Sequence, residues 1–135
     1  MPRILLVDDD PDDRDIISDA LRQLHKDVVI RAADNGVRAL EILETDYALG
    51  AAPCLVVLDL NMPKMNGAKT LEALKSDPRL SNITAVIYST SVNGLEKEKC
   101  LKLGAHSYIT KPVSYQESLD IAALFLDLCK RKSLG

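Results

Sequence analysis

Residues 54–59 read Cys-Leu-Val-Val-Leu-Asp, four consecutive apolar residues closed by an acid, with no alternation of apolar and polar positions. A strand with one face in water alternates, whereas a strand covered on both faces of a parallel sheet does not. Cys54 to Asp59 is therefore a central strand with a carboxylate at its carboxyl end. Short β-branched or leucine-rich runs recur on either side, at Arg3 to Asp8, Val28 to Ala32, Ala85 to Ser89 and Ser107 to Ile109. Between and after them lie segments of helical period, from about Asp12 to Leu24, Gly36 to Glu44, Gly67 to Lys75, Gly94 to Leu103 and Tyr115 to Lys130. In the first helix Ile16, Ile17, Ala20, Leu21 and Leu24 recur at three- and four-residue steps, which predicts one apolar face against the sheet. Five repeats of strand then helix give an α/β chain with a doubly wound parallel sheet and helices on both faces. Such sheets bind ligands beyond the carboxyl ends of their strands.

With 135 residues the chain is read as a single domain over 1–135, without a separate output domain. Its 47% hydrophobic and 27% charged residues are those of a globular chain, and no apolar run approaches the roughly 20 residues of a membrane span. The short apolar run of MPRILLVDDD is flanked by acids, unlike a signal peptide, so a cytoplasmic location without membrane association is expected. A net charge of −3 with dispersed lysines and arginines argues against nucleic-acid binding through a basic face. Cys54, Cys100 and Cys129 are odd in number and widely spaced. They read as small buried hydrophobes, with neither a disulfide framework nor a zinc site expected.

Asp8 and Asp9 end the first strand and Asp59 ends the third. On neighbouring strands these carboxylates would converge, and like charges so close raise one another's pKa values unless a cation joins them. Hard oxygen ligands in an incomplete protein shell suit Mg²⁺. Asp10, Asp12 and Asp13 read instead as acids favoured by the dipole at a helix N-terminus. Lys111, at the end of the fifth strand, can bring a compact positive charge to the same edge.

ILLVDD at 4–9, LDLNMPKMNG at 58–67 and YITKP at 108–112 together resemble the receiver domain of two-component response regulators, over nearly the whole chain. The resemblance implies a flavodoxin-like five-stranded sheet in the order 2-1-3-4-5. It also implies a function: a stand-alone response regulator that accepts a phosphoryl group on Asp59 from a sensor histidine kinase. In that reading Asp9, Asp59 and the backbone carbonyl of Asn61 bind Mg²⁺, with Asp8 acting through water, and Lys111 pairs with Asp59 and then with phosphate. The resemblance further implies a cis Lys111-Pro112 bond and a switch aromatic at Tyr108. Ser89, Thr90 and Ser91 all offer a hydroxyl after the fourth strand. The register relative to Lys111 favours Ser89, which leaves Thr90 where the family commonly has Ala or Gly. The chain would be a phosphoacceptor switch rather than an enzyme, apart from slow autodephosphorylation. LNMPKMNG, STS and ITKP also resemble stand-alone regulators that accompany phytochrome-type histidine kinases.

In the last helix Ile121, Leu124, Phe125 and Leu128 fall on one side and Leu119, Ala122, Ala123 and Leu126 on an adjoining one. That arc is wider than one sheet face covers, which predicts a homodimer through this helix. A haloacid-dehalogenase-like phosphatase would need an acid where Asn61 stands, and DDDPDD after the first strand would repel the phosphate of a flavodoxin-like cofactor. The remaining alternative is a degenerate receiver-fold interaction module that no longer takes phosphate, an alternative that rests on Thr90.

Overall fold

The computed structural model describes residues 2–90 and 93–134, the last three as helical backbone only. Ser91 therefore lies outside the described residues. The strands are β1 (Arg3–Val7), β2 (Val29–Ala33), β3 (Leu55–Leu58), β4 (Thr84–Ser89) and β5 (Ser107–Thr110). The helices are α1 (Pro11–Leu24), α2 (Gly36–Ala48), α3 (Gly67–Ser76), α4 (Gly94–Lys102) and α5 (Tyr115–Leu134). All four strand pairings are parallel and the sheet order is β2-β1-β3-β4-β5, which puts β3 in the centre as its unbroken apolar run requires.

The pleat sends alternate side chains to opposite faces, so each central strand feeds two cores. Ile4 and Leu6 of β1 and Leu55 and Val57 of β3 pack with Ile17, Leu21, Ala122 and Phe125 under α1 and α5. Leu5, Val7, Val56 and Leu58 pack with Leu43, Leu71 and Leu74 under α2 and α3. Three helices begin at an Asn-Gly pair, with Asn35, Asn66 and Asn93 each accepting a backbone N–H of the first turn. Ser114 Oγ accepts from Glu117 N at the start of α5, and the Glu117 carboxylate accepts from Val113 N.

Three expectations need correction. In α1 the buried stripe holds Ile17, Ala20 and Leu21, whereas Ile16 and Leu24 are half exposed, because Ile16 lies at the edge of the stripe, about 100° round from Ile17, and Leu24 ends the helix. No cis peptide bond occurs among the described residues, so Lys111-Pro112 is trans, the isomer that X-Pro bonds ordinarily prefer. Cys54 and Cys129 form a disulfide, with Cα atoms 5.1 Å apart across a sequence separation of 75. Only Cys100 matches the expected free, buried cysteine.

Helix α5 covers much of its own apolar arc by packing on both the sheet and α1. Ala122, Phe125 and Leu128 are buried, Leu119, Ile121 and Leu126 partly so, and Ala123 and Leu124 face outward. No helix among the described residues is long and apolar enough to cross a membrane.

Candidate functional site

Parallel pairing carries the strand-end acids to one edge. β1 and β3 stop at Val7 and Leu58, but the ladder runs on for one residue: Asp8 N donates to Ala33 O at 3.0 Å and Asp59 N to Val7 O at 2.9 Å. These bonds fix the backbones from which both acids project. Asp8, Asp9 and Asp59 each place a carboxylate oxygen within 4.8 Å of the others. Asp8 and Asp59 are buried and Asp9 is exposed, so the cluster opens to solvent on the Asp9 side.

Lys111 follows β5 and is buried with its ammonium in the cluster. Nζ lies 2.8 Å from Asp8 Oδ2, 2.7 Å from Asp13 Oδ2 and 3.5 Å from Asp59 Oδ2. The contact to Asp8 Oδ2 is an ion pair off the hydrogen-bond direction, and this buried oxygen accepts no hydrogen bond. Burial alone would lower the Lys111 pKa, yet the hydrogen bond to Asp13, the ion pair with Asp8 and the charge of Asp59 hold it above the usual range. At Asp59, burial and then the charge of Asp8 push the carboxyl up to about 6, with Lys111 opposing. One ammonium thus serves three acids and leaves the cluster short of positive charge. A hard divalent cation fits this donor set, with the unsatisfied Asp8 oxygen, Asp9 and Asp59 as the residues to hold it.

The other expected residues take distinct places. Ser89 ends β4, fully buried, and its carbonyl accepts from Lys111 N at 3.0 Å; Thr90 follows it and is exposed. Asn61 lies in the exposed loop after Asp59. Tyr108, on β5, is half buried against the α2–α3 core. Gly67 opens α3, where an added Cβ would run into the Asp59 carbonyl oxygen, and its N–H donates to Leu60 O at 3.0 Å. Glycine there lets the helix start press against the strand end.

Sequence reasoning assigned Asp13 to the helix dipole, and the structure gives it to Lys111. The signal was available: Asp13 lies four residues before Ile17, on the stripe that faces the sheet. Tyr88 was also missed. Its buried ring meets Phe125 edge-on at 5.7 Å, and Lys111 Nζ lies 5.8 Å from its centroid, so an aromatic face supports the ammonium from below.

Residues 4–123 match the response regulator receiver domain family. The chain belongs to that family. As a receiver domain it is 35% identical over 112 residues to the two-component response regulator ORR5 of Oryza sativa subsp. japonica, covering 83% of this chain and 79% of the relative. Among solved structures it resembles the phosphorylated cyanobacterial phytochrome response regulator RcpA, with 32% identity, a TM-score of 0.84 and coverage of 93% and 94% of the two chains. The Mn²⁺-bound form of response regulator Rcp1 is also similar, with 27% identity, a TM-score of 0.80 and coverage of 90% and 89%. The receiver domain of this chain thus has the flavodoxin-like architecture of its relatives.

Proposed function

We propose that this receiver domain is a stand-alone, cytoplasmic phosphoacceptor switch that takes a phosphoryl group from a sensor histidine kinase onto Asp59. The observation that carries the reading is the Asp8–Asp9–Asp59 cluster, with oxygens within 4.8 Å of one another and Lys111 Nζ 3.5 Å from Asp59. Phosphoryl transfer asks for a positioned nucleophile and positive charge on the phosphoryl oxygens more than for covalent machinery. An Asp59 oxygen bonds to phosphorus as the phosphorus–nitrogen bond to the donor histidine breaks. Lys111 keeps an ammonium at the transferred oxygens, and Ser89 or Thr90 supplies the hydroxyl that meets the product. Mg²⁺, held by Asp8, Asp9, Asp59 and the Asn61 carbonyl, would neutralise charge there when bound. Phosphorylation adds charge and acceptor oxygens, drawing in the hydroxyl and moving Tyr108, which shifts the α4–β5–α5 surface toward a partner or a second copy. The likeness to phosphorylated RcpA and Mn²⁺-bound Rcp1 supports this reading and suggests a phytochrome-type kinase as donor.

Incubating the full chain with acetyl phosphate and Mg²⁺, followed by intact mass, tests the assignment. One phosphoryl group is expected, lost in Asp59→Asn and without Mg²⁺. Uptake undiminished in Asp59→Asn overturns it, and no uptake in the native chain favours the degenerate module. A dimer through the outward Leu124 side of α5 predicts a dimeric elution volume at micromolar concentration, and a monomer in both phosphorylation states removes it.

A further inference from the structure

The site chemistry uses none of the cysteines, yet two of them meet at the end of the molecule away from the acids. Cys54 immediately precedes β3, the strand that carries Asp59 at its other end, and Cys129 lies in the C-terminal half of α5. We infer that Cys54–Cys129 is a reversible dithiol/disulfide site, open to a small dithiol reductant, that clasps and releases the C-terminal half of α5. Four observations on the structure carry it.

Access comes first. A cavity of about 850 Å³ is lined by both sulfur residues together with Ala52, Pro53, Ala123 and Leu126. Cys54 is half buried whereas Cys129 is buried, so the Cys54 sulfur is the one an incoming thiolate can reach. Second, Arg3, His25 and Lys130 line the same cavity against one acid, Asp127, which already pairs with Arg131 at 2.9 Å. Basic surroundings favour thiolates, the species that exchange. Third, the reduced form has a partner waiting: Cys54 Sγ lies 3.1 Å from the Arg3 carbonyl oxygen, which a thiol proton can reach without backbone movement. Fourth, the remaining cysteine does not compete, because Cys100 is buried in the opposite core and burial pushes its thiol up.

The exchange balances within the named partners. A thiolate of the dithiol attacks Cys54 Sγ, the bond to Cys129 breaks, and Cys129 leaves as a thiolate that takes a proton from water. The second thiol of the reductant then attacks the mixed disulfide and frees Cys54, so two electrons and two protons pass from the dithiol to the pair. In the reducing compartment proposed above, disulfides that form are characteristically transient and redox-sensing. The bearing on signalling rests on the reading of α5 as part of the switching surface; the exchange itself does not.

The test equilibrates the full folded chain in oxidised and reduced dithiothreitol mixtures, traps thiols by alkylation and maps the labels. The expected result is reversible, paired labelling of Cys54 and Cys129 in a folded monomer or dimer, with Cys100 unlabelled. Amide exchange over residues 123–131 should quicken roughly tenfold or more on reduction, because the covalent clasp no longer suppresses local opening. Cys54→Ser, altered at the half-exposed end, should exchange like the reduced native chain under all conditions. The inference is overturned if the bond reduces only on unfolding, if oxidation joins other cysteines, or if exchange over 123–131 is unchanged. Repeating the titration in Asp59→Asn keeps it independent of the phosphoacceptor reading.

Discussion

Asp59 sits where burial and a neighbouring carboxylate both oppose its charge, and that places its titration near 6 instead of the usual value close to 4. Because the folded pKa is the higher one, between about pH 4 and 6 the folded chain holds a proton that the unfolded chain lacks. In metal-free buffer the contribution of this group to stability is therefore full below about pH 4 and is lost as pH rises through about 6. A divalent cation binds the deprotonated cluster, so the sign reverses when Mg²⁺ is added. Stabilisation by Mg²⁺ should be strong at about pH 7.5, with affinity about tenfold weaker at about pH 5. Thermal melts with and without Mg²⁺ at the two pH values check this, and an equal metal effect at both would contradict it. Asp13 gives a second prediction at the same scale. It is a partly exposed partner of a buried ammonium, so Asp13→Asn should cost about 1–3 kcal/mol in metal-free chemical denaturation. A loss below about 0.5 kcal/mol would mean that Asp8 and Asp59 satisfy Lys111 without it. The strand-end acids were legible in the sequence because each ends a strand on its own local evidence, whereas Lys111, locally an ordinary surface lysine, was legible only through the resemblance of YITKP to the family motif. The Asp13 contact was legible only in part: its place four residues before Ile17 puts it on the sheet-facing stripe, but its pairing with Lys111 joins residues far apart in the chain.

Among elements, legibility followed periodicity. The β3 run could be read as covered on both faces because Leu55 to Leu58 offers no polar position, and the structure places it between β1 and β4. The width of α5 was legible too, but not what covers it, since α1 and the sheet share the arc between them. Boundaries drifted where capping or fraying decides them: α2 runs to Ala48 rather than Glu44, and α5 continues past Lys130. Gly67 is where an element boundary becomes part of the site. An alanine Cβ there would meet the carbonyl of Asp59 and the Leu60 backbone, neither of which is a flexible side-chain end. The start of α3 would have to retreat and take the loop with it. Gly67→Ala should cost about 1–3 kcal/mol in stability by overpacking. It should also slow phosphoryl uptake from acetyl phosphate, whereas Gly94→Ala, with open space around its Cβ, should leave uptake unchanged. Equal uptake rates in the two variants would show that α3 can shift without disturbing Asp59.

At the scale of the whole molecule, Cys54–Cys129 closes the largest loop in the chain that is held covalently. Nothing in cysteine spacing could announce it, because a pair separated by 75 residues carries no local pattern and an odd count pointed the other way. Folding brings the two together: β3 is the central strand, α5 crosses the sheet on the α1 side, and the base of one meets the far end of the other. The physical consequence falls chiefly on the unfolded chain, which loses conformational freedom when a loop of that length is closed. Oxidised protein should accordingly be more stable than reduced protein by about 2–4 kcal/mol, with a shallower denaturant dependence because the cross-linked unfolded state stays more compact. Urea titrations of the two forms, with Cys54→Ser as a third arm, measure this. The variant should match the reduced protein in midpoint and in slope. If the variant instead matches the oxidised protein, the cross-link constrains nothing that packing of Ala122, Phe125 and Leu128 does not already hold, and the stability of α5 resides in its buried stripe alone.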